Sequence, residues 1–340
     1  MDPALLTPNE VANARAALQR LRDGMAAVLL GQDELVSLVT IALASRGHVL
    51  LEGLPGLGKT ELVKSLSKLL GLGFGRIQFT PDLLPSDVTG GAVLEESGGR
   101  KHFVFQRGPL FANCVLADEI NRASPKTQSA LLEAMQERRV TVLGESHPLP
   151  APFFVLATQN PIELEGTYPL PEAQRDRFLF KLDVPPVGAE VLTRIVRERR
   201  RGQAPESHAV FAAGELDALF SAVDRVALTD GVAGYIARLV AASDPRSEAC
   251  PEALRPFLRF GASPRAAIGL AEAGRASALL EGRPNVDFDD VQRVAPSVLA
   301  HRLVLEHAAR LEGITAREIV SRLLAATDPL GQPLPAGVRG

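Results

Sequence analysis

The chain has little cysteine, little net charge and no long apolar run, and each shortage removes a class of protein. Two cysteines in 340 residues, Cys114 in an apolar run and Cys250 in a polar loop, supply neither a disulfide framework nor metal-ligand spacing. Cys114 reads as a small core residue. The charge is nearly balanced, 37 basic against 40 acidic residues for a net of −3, which gives no electrostatic excess for gripping nucleic acid non-specifically. The densest basic run, Arg197-Glu198-Arg199-Arg200-Arg201, precedes Gly202. It reads as a helix end whose cations complement the dipole, with a nucleic-acid or partner patch as the other reading. The longest uncharged apolar stretch, Leu35 to Ser45, is too short to span a bilayer, and Met1-Asp2-Pro3 lacks the basic and apolar regions of a secretory signal. A cytoplasmic globular protein without membrane insertion is expected.

What is present is size and apolar content. At 340 residues and 46% hydrophobic, the chain can bury two cores. Thr7-Pro8-Asn9-Glu10 fits a capping box with proline at the first helical position, and Val11, Ala14, Leu18 and Leu21 follow at helical spacing, predicting a helix to about Leu29. A second helix is expected from Glu34 to Ala44, then a strand over His48 to Leu51. Further strands are expected at Arg76 to Phe79, Cys114 to Ala117, Phe153 to Ala157 and Phe178 to Leu182. Five buried strands alternating with helices predict an α/β fold with a parallel sheet covered on both faces. Two hairpins interrupt that alternation: Ala92 to Leu94 with Phe103 to Phe105, through the turn Glu96-Ser97-Gly98-Gly99-Arg100, and Val140 to Leu149 around Gly144. Past Val184-Pro185-Pro186-Val187-Gly188 only helical spacing is apparent. The expected division is therefore 1–184 as the α/β core, 189–330 as an all-helical domain, and 331–340 as a flexible tail.

Between the strand at His48 and the helix beginning near Lys59 lies Gly53-Leu54-Pro55-Gly56-Leu57-Gly58-Lys59-Thr60. Its glycines let successive N–H groups point inward, and the helix that follows adds the positive end of its dipole. This is a phosphate-binding loop suited to a triphosphate. Lys59 supplies a point charge for the β/γ-phosphates, and the Thr60 hydroxyl can complete a Mg²⁺ shell. The strand Cys114 to Ala117 runs straight into Asp118-Glu119, placing two carboxylates at the carboxyl end of a strand, where open α/β sheets bind ligands. Asp118 is suited to hold Mg²⁺ or its water, and Glu119 to activate the water that attacks the γ-phosphate. Alone, such a pair would read as a helix cap or solvated turn; about 60 residues after a phosphate loop, it reads as half of a hydrolytic site. Thr158-Gln159-Asn160-Pro161 ends the next strand, so Asn160 can project at the same sheet edge toward the attacking water or the γ-phosphate.

Longer strings extend these motifs: Gly108 to Asn113, Ala117 to Ala123, Lys126 to Met135, Ala157 to Pro161, Glu165 to Gln174, Asp176-Arg177-Phe178 and Gly261 to Ala266. Through them the chain resembles the AAA+ ATPases, and within them the MoxR family, from about Gly31 to about Leu303. The resemblance implies a P-loop core with a helical lid, and ATP and Mg²⁺ as cofactors. The nucleotide would be held by Gly53, Pro55, Gly56, Leu57, Gly58, Lys59, Thr60 and Glu61. It implies that both hairpins face a central pore and that Asn160 is sensor 1. Arg177 matches the arginine finger that completes a neighbouring subunit's site, and Arg265, with Pro264 at the first helical position, matches sensor 2. Arg175 stands where the family commonly has an apolar residue and competes for the finger role, while the plain reading of both arginines is pairing with Glu172 or Asp176.

The resemblance further implies a homo-oligomeric ring, six subunits being the family expectation. It implies chaperone-like remodelling or maturation of protein clients, often ones with a von Willebrand factor A domain. Two other readings stand beside this one. A nucleic-acid-stimulated ring motor would use basic pore residues such as Arg100 and Lys101, against which the charge balance weighs. A nucleotide-gated scaffold with negligible turnover would leave the catalytic groups unused.

Overall fold

The computed structural model describes residues 5–53, 58–97, 100–160, 167–199 and 205–331. Contacts divide the chain into two units, Ala16–Asp217 and a second made of the stretch up to Arg15 together with the chain from Ala218.

In the first unit, α1 (Pro8–Val28) starts on the expected capping box. The Thr7 N–H donates to Glu10 Oε2 at 2.8 Å and the Glu10 N–H to Thr7 Oγ1 at 3.3 Å. The longest apolar stretch becomes α2 (Asp33–Ala44), every residue of which is buried from Leu35 onward, so its hydrophobicity is that of a core helix. Next come β1 (Val49–Glu52), α3 (Lys59–Leu70), β2 (Phe74–Gln78) and the short α4 (Pro85–Thr89). Then follow the hairpin β3 (Gly90–Ser97) and β4 (Arg100–Arg107), β5 (Cys114–Asp118), and α5 (Pro125–Glu137), whose N-cap is Ser124. The second hairpin, β6 (Arg139–Val142) and β7 (Glu145–Pro148), leads to β8 (Phe154–Gln159), α6 (Glu172–Arg175), β9 (Phe180–Asp183) and α7 (Ala189–Glu198).

The sheet is five-stranded, in the order β2-β5-β8-β1-β9, and every pairing is parallel. Cys114 to Ala117 and Val49 to Leu51 are fully buried, as strands covered on both faces must be. Register aligns the carboxyl ends: Gln78 lies opposite Asp118, Leu51 opposite Thr158, and Glu52 opposite Gln159. Residues far apart in sequence thus meet at one sheet edge.

Both hairpins form as the sequence predicts. In the first, Ala92 pairs with Phe105 and Leu94 with Phe103. In the second, Val142 pairs with Glu145, leaving Leu143 and Gly144 as a two-residue loop at φ of +52° and +82°, the left-handed geometry that matches strand twist. Stacking of Phe105 on His147, ring centroids 4.1 Å apart, joins the two hairpins. Among their exposed residues are the large apolar side chains of Leu94, Phe103 and Leu143.

The second unit holds α9 (Asp230–Ala242), α10 (Pro264–Leu280), α11 (Phe288–Leu299), α12 (His307–Leu311) and α13 (Ala316–Ala326), while α8 (Glu215–Asp224) starts at the division. It is not entirely helical: β10 (Leu258–Phe260) and β11 (Val304–Leu305) form an antiparallel ribbon. Strands of three and two residues are too short to show a period of two. Cys250, in its loop, is buried like Cys114.

The border also differs from the expected one. Residues 189–217 cluster with the α/β unit, and polar contacts explain why. Ser207 hydrogen-bonds Ser65 at 2.7 Å, the Val210 N–H donates to the Leu69 carbonyl at 2.8 Å, and Arg20 pairs with Glu215. Within the basic run, Arg199 donates to the carbonyls of Ala27 and Val28. It therefore serves the carboxyl end of α1 as well as its own helix. The first turns of α1 cluster with the helical unit, where Glu10 pairs with Arg225 at 2.5 Å. Arg200, Arg201, the Gly98-Gly99 turn and residues 332–340 lie outside the described residues.

Candidate functional site

A cavity of ≈ 320 Å³ opens at the carboxyl edge of the sheet, lined by Gly58, Lys59, Thr60, Glu61, Asp118, Glu119, Thr158 and Asn160. Gly58 is the N-cap of α3 and sits at φ +81°, a left-handed conformation natural to glycine. As N-cap, Gly58 has no side chain to cap α3, so the helix start brings its first-turn N–H groups and the positive end of its dipole to the cavity that Gly58, Lys59 and Thr60 line. Gly53 is needed for a different reason: a Cβ there would stand 2.9 Å from the Val184 side chain and 3.0 Å from its carbonyl oxygen. Leu54, Pro55, Gly56 and Leu57 lie outside the described residues.

Lys59 donates to the Gly53 carbonyl at 2.5 Å. Burial pulls its pKa below the usual lysine value, while Asp118, Glu119 and Glu52 act in the opposite direction. Asp118 accepts from Thr158 Oγ1 on Oδ1 at 2.7 Å and from Arg76 on Oδ2 at 2.9 Å. Glu119 accepts from Gln78 Nε2 at 3.0 Å and from Arg122 at 2.9 Å, both on Oε2, and its own N–H donates to Thr158 Oγ1 at 2.9 Å. Its backbone has φ +56° and ψ +50°, a left-handed conformation that costs a non-glycine residue energy and recurs at functional sites. That turn aims the carboxylate along the sheet edge before the 3₁₀ segment Ile120–Arg122 begins.

The structure brings together Gly58, Lys59, Thr60, Glu61, Asp118, Glu119 and Asn160. Arg177 does not line this cavity: its Nη1 donates to the Leu132 carbonyl on α5 at 2.8 Å. Arg175 pairs with Glu172 at 3.6 Å. Arg265 is an exposed residue of the first turn of α10, in the helical unit. Four polar groups escaped the sequence reading: Arg76 and Gln78 on β2, Thr158 on β8, and Arg122 beyond Glu119. Once the sheet is ordered, Gln78 becomes predictable, because it ends the strand beside Asp118.

The donor set fits a magnesium nucleotide. Among the described residues no cluster of three or more His, Cys, Asp or Glu could cage a metal. A Mg²⁺ ion carried on phosphates needs only a carboxylate and a hydroxyl from the protein, its remaining ligands being phosphate oxygens and water. Asp118 and Thr60 face the cavity and can supply these. Among the described residues no helix is long and apolar enough to cross a membrane.

Comparison with known proteins agrees with this architecture. Residues 48–180 match the ATPase family associated with various cellular activities (AAA), and residues 251–323 match the AAA lid domain. The chaperone MoxR1 of Mycobacterium tuberculosis is 44% identical over 297 residues, 87% of this chain and 78% of its own length. The protein MoxR of Methylorubrum extorquens is 32% identical over 308 residues, 86% and 89% of the two chains. A crystal structure from Cytophaga hutchinsonii, assigned as an ATPase, matches with a TM-score of 0.85 at 37% identity, covering 94% of this chain and 97% of that one. With alignments running through core and lid alike, the chain belongs to the MoxR family of AAA ATPases, and it binds and hydrolyses ATP.

Proposed function

We propose that the cavity hydrolyses ATP as its Mg²⁺ complex within a ring of identical chains, and that turnover drives remodelling or maturation of a protein client. The observation that carries this reading is the meeting of Gly58, Lys59 and Thr60 with Asp118, Glu119 and Asn160 around one cavity. Lys59 exchanges the Gly53 carbonyl for β/γ-phosphate oxygens. Thr60 and Asp118 hold the metal, which when bound neutralises charge on the phosphates. Glu119 takes a proton from the attacking water, which Asn160 orients. Arg265 keeps in this reading the sensor 2 role that the resemblance implies.

Arg177 has no place in its own cavity, which supports a role in a neighbouring subunit's site. A guanidinium suits that role because it is always charged and presents a rigid fork to phosphate oxygens. Six subunits, a cytoplasmic location and a client with a von Willebrand factor A domain complete the reading. Client remodelling is supported by the name of the M. tuberculosis relative, a chaperone, and by two packed hairpins with exposed Leu94, Phe103 and Leu143.

The ring is tested by mixing inactive subunits. Arg177→Ala and Glu119→Gln proteins should each turn over slowly alone. Combined in rings shown by native mass spectrometry to contain both, they should regain ATPase activity, because an intact Glu119 then meets an intact Arg177. No regain in such rings would overturn the finger in trans.

A further inference from the structure

Arg76 is assigned to nothing by the phosphate-loop chemistry, yet it touches the acid at the centre of the site. It stands on β2, opposite Leu116 of β5, two residues before the aligned pair Gln78 and Asp118. From there its Nη2 reaches Asp118 Oδ2 at 2.9 Å and Gln78 Oε1 at 3.0 Å. Since Thr158 occupies Oδ1, both oxygens of Asp118 are engaged, one of them by a cation. A divalent cation on the same carboxylate would stand within a few ångströms of the guanidinium, and like charges so close repel strongly. The pair can open readily. The Arg76 side chain is 47% exposed against 16% for Asp118, so the guanidinium can turn into water at little cost.

We propose that Arg76 is a cationic placeholder competing with the divalent cation for Asp118. It compensates the carboxylate until the cation arrives and raises the cation concentration the site requires. The proposal rests on Asp118 being the metal-side acid.

Removal of the Arg76 charge has effects of opposite sign on the two ligands. Without Arg76 the cation meets an unoccupied carboxylate oxygen and binds more tightly. Metal-free ATP, a polyanion, meets an uncompensated Asp118 and binds more weakly. A residue that merely held Asp118 in place would, on removal, weaken cation binding instead.

The test uses the full chain and a fluorescent ATP analogue, mant-ATP, whose binding is measured in EDTA and during MgCl₂ titration. In Arg76→Gln the Mg²⁺ half-saturation should fall about fivefold and metal-free affinity should weaken about threefold, the scale expected of a partly exposed pair. Arg76→Lys, which keeps the charge, should stay near wild type. An unchanged or raised Mg²⁺ half-saturation in Arg76→Gln, or an Arg76→Lys that behaves like Arg76→Gln, overturns the placeholder. Asp118→Asn separates the two levels of the argument. If it leaves the Mg²⁺ dependence intact, the assignment of Asp118 fails and the placeholder with it. If it abolishes that dependence while Arg76→Gln changes nothing, only the placeholder fails. Half-exposed on an edge strand, Arg76→Gln should melt like wild type.

Discussion

Asp290 in the helical unit and Asp118 in the α/β unit are both carboxylates paired with an arginine, and the two pairs are built differently. Asp290 is 2% exposed and receives two parallel bonds from Arg283, at 2.7 and 2.8 Å. It also accepts the Asp287 N–H at 2.9 Å in the capping box that starts α11. That carboxylate holds the connection that leads from α10 into α11. Asp118 receives a single bond from a guanidinium that is half in water, and it faces a cavity. One ion-pair type thus serves two ends, because burial and the number of bonds decide whether the partner can leave. Lys59 on the Gly53 carbonyl and Glu119 on Gln78 follow the pattern of Asp118.

The contrast can be broken at either end. Lys59→Ala should give the largest effect, a fall in ATP turnover of about 10² to 10³, as when one electrostatic stabiliser of a transition state is removed. Urea unfolding should stay close to wild type, and a large loss of stability would mean that Lys59 is structural after all.

His48 sharpens the comparison from inside the α/β unit, since it is an ionisable group there that serves structure. Its Nδ1 accepts the Val155 N–H at 3.0 Å and its Nε2 donates to the Met135 carbonyl at 3.2 Å, tying β1 to β8 and α5. Burial pushes its pKa down to about 4. A histidine whose folded pKa lies below the unfolded value near 6.5 binds its proton more readily when unfolded. Its neutral form therefore contributes fully above that value, and stability is lost as pH falls toward 4. The loss should reach about 3 kcal/mol. It is measured as the difference in pH dependence of unfolding between wild type and His48→Gln, which should lack this component. Equal dependence in both proteins would exclude His48 as its source.

Asp290→Ala should cost about 2 kcal/mol of stability, less than for a fully buried pair because Arg283 can reach water. ATP turnover per folded molecule should be unchanged. Turnover that falls while the fold holds would erase the distinction between the two carboxylates.

Much of this was legible in sequence because the signals were local. The phosphate loop, the Thr7 capping box, the Leu143-Gly144 turn and the Asp118-Glu119 strand end each declare themselves within a few residues. Groups that act across strands did not. Arg76 and Gln78 meet Asp118 and Glu119 only because β2 lies beside β5, a neighbour relation that a pattern of single strands does not contain. Short elements were also lost, α4, α6 and the β10–β11 ribbon each spanning too few residues to repeat the period that would reveal them. The unit border moved for a similar reason. Residues 189–217 include a helical pattern like that of the lid, but the bonds from Ser207, Val210 and Glu215 to α1 and α3 place them with the α/β unit.

The central claim is that the carboxyl edge of the sheet separates ATP binding from ATP cleavage, with Glu119 serving only the second. The direct measurement is equilibrium MgATP binding and steady-state hydrolysis on the same Glu119→Gln preparation. Binding should remain within about threefold of wild type while turnover falls by about 10² or more, the scale of a lost general base. Turnover close to wild type, or loss of binding together with turnover in a folded protein, would contradict the account.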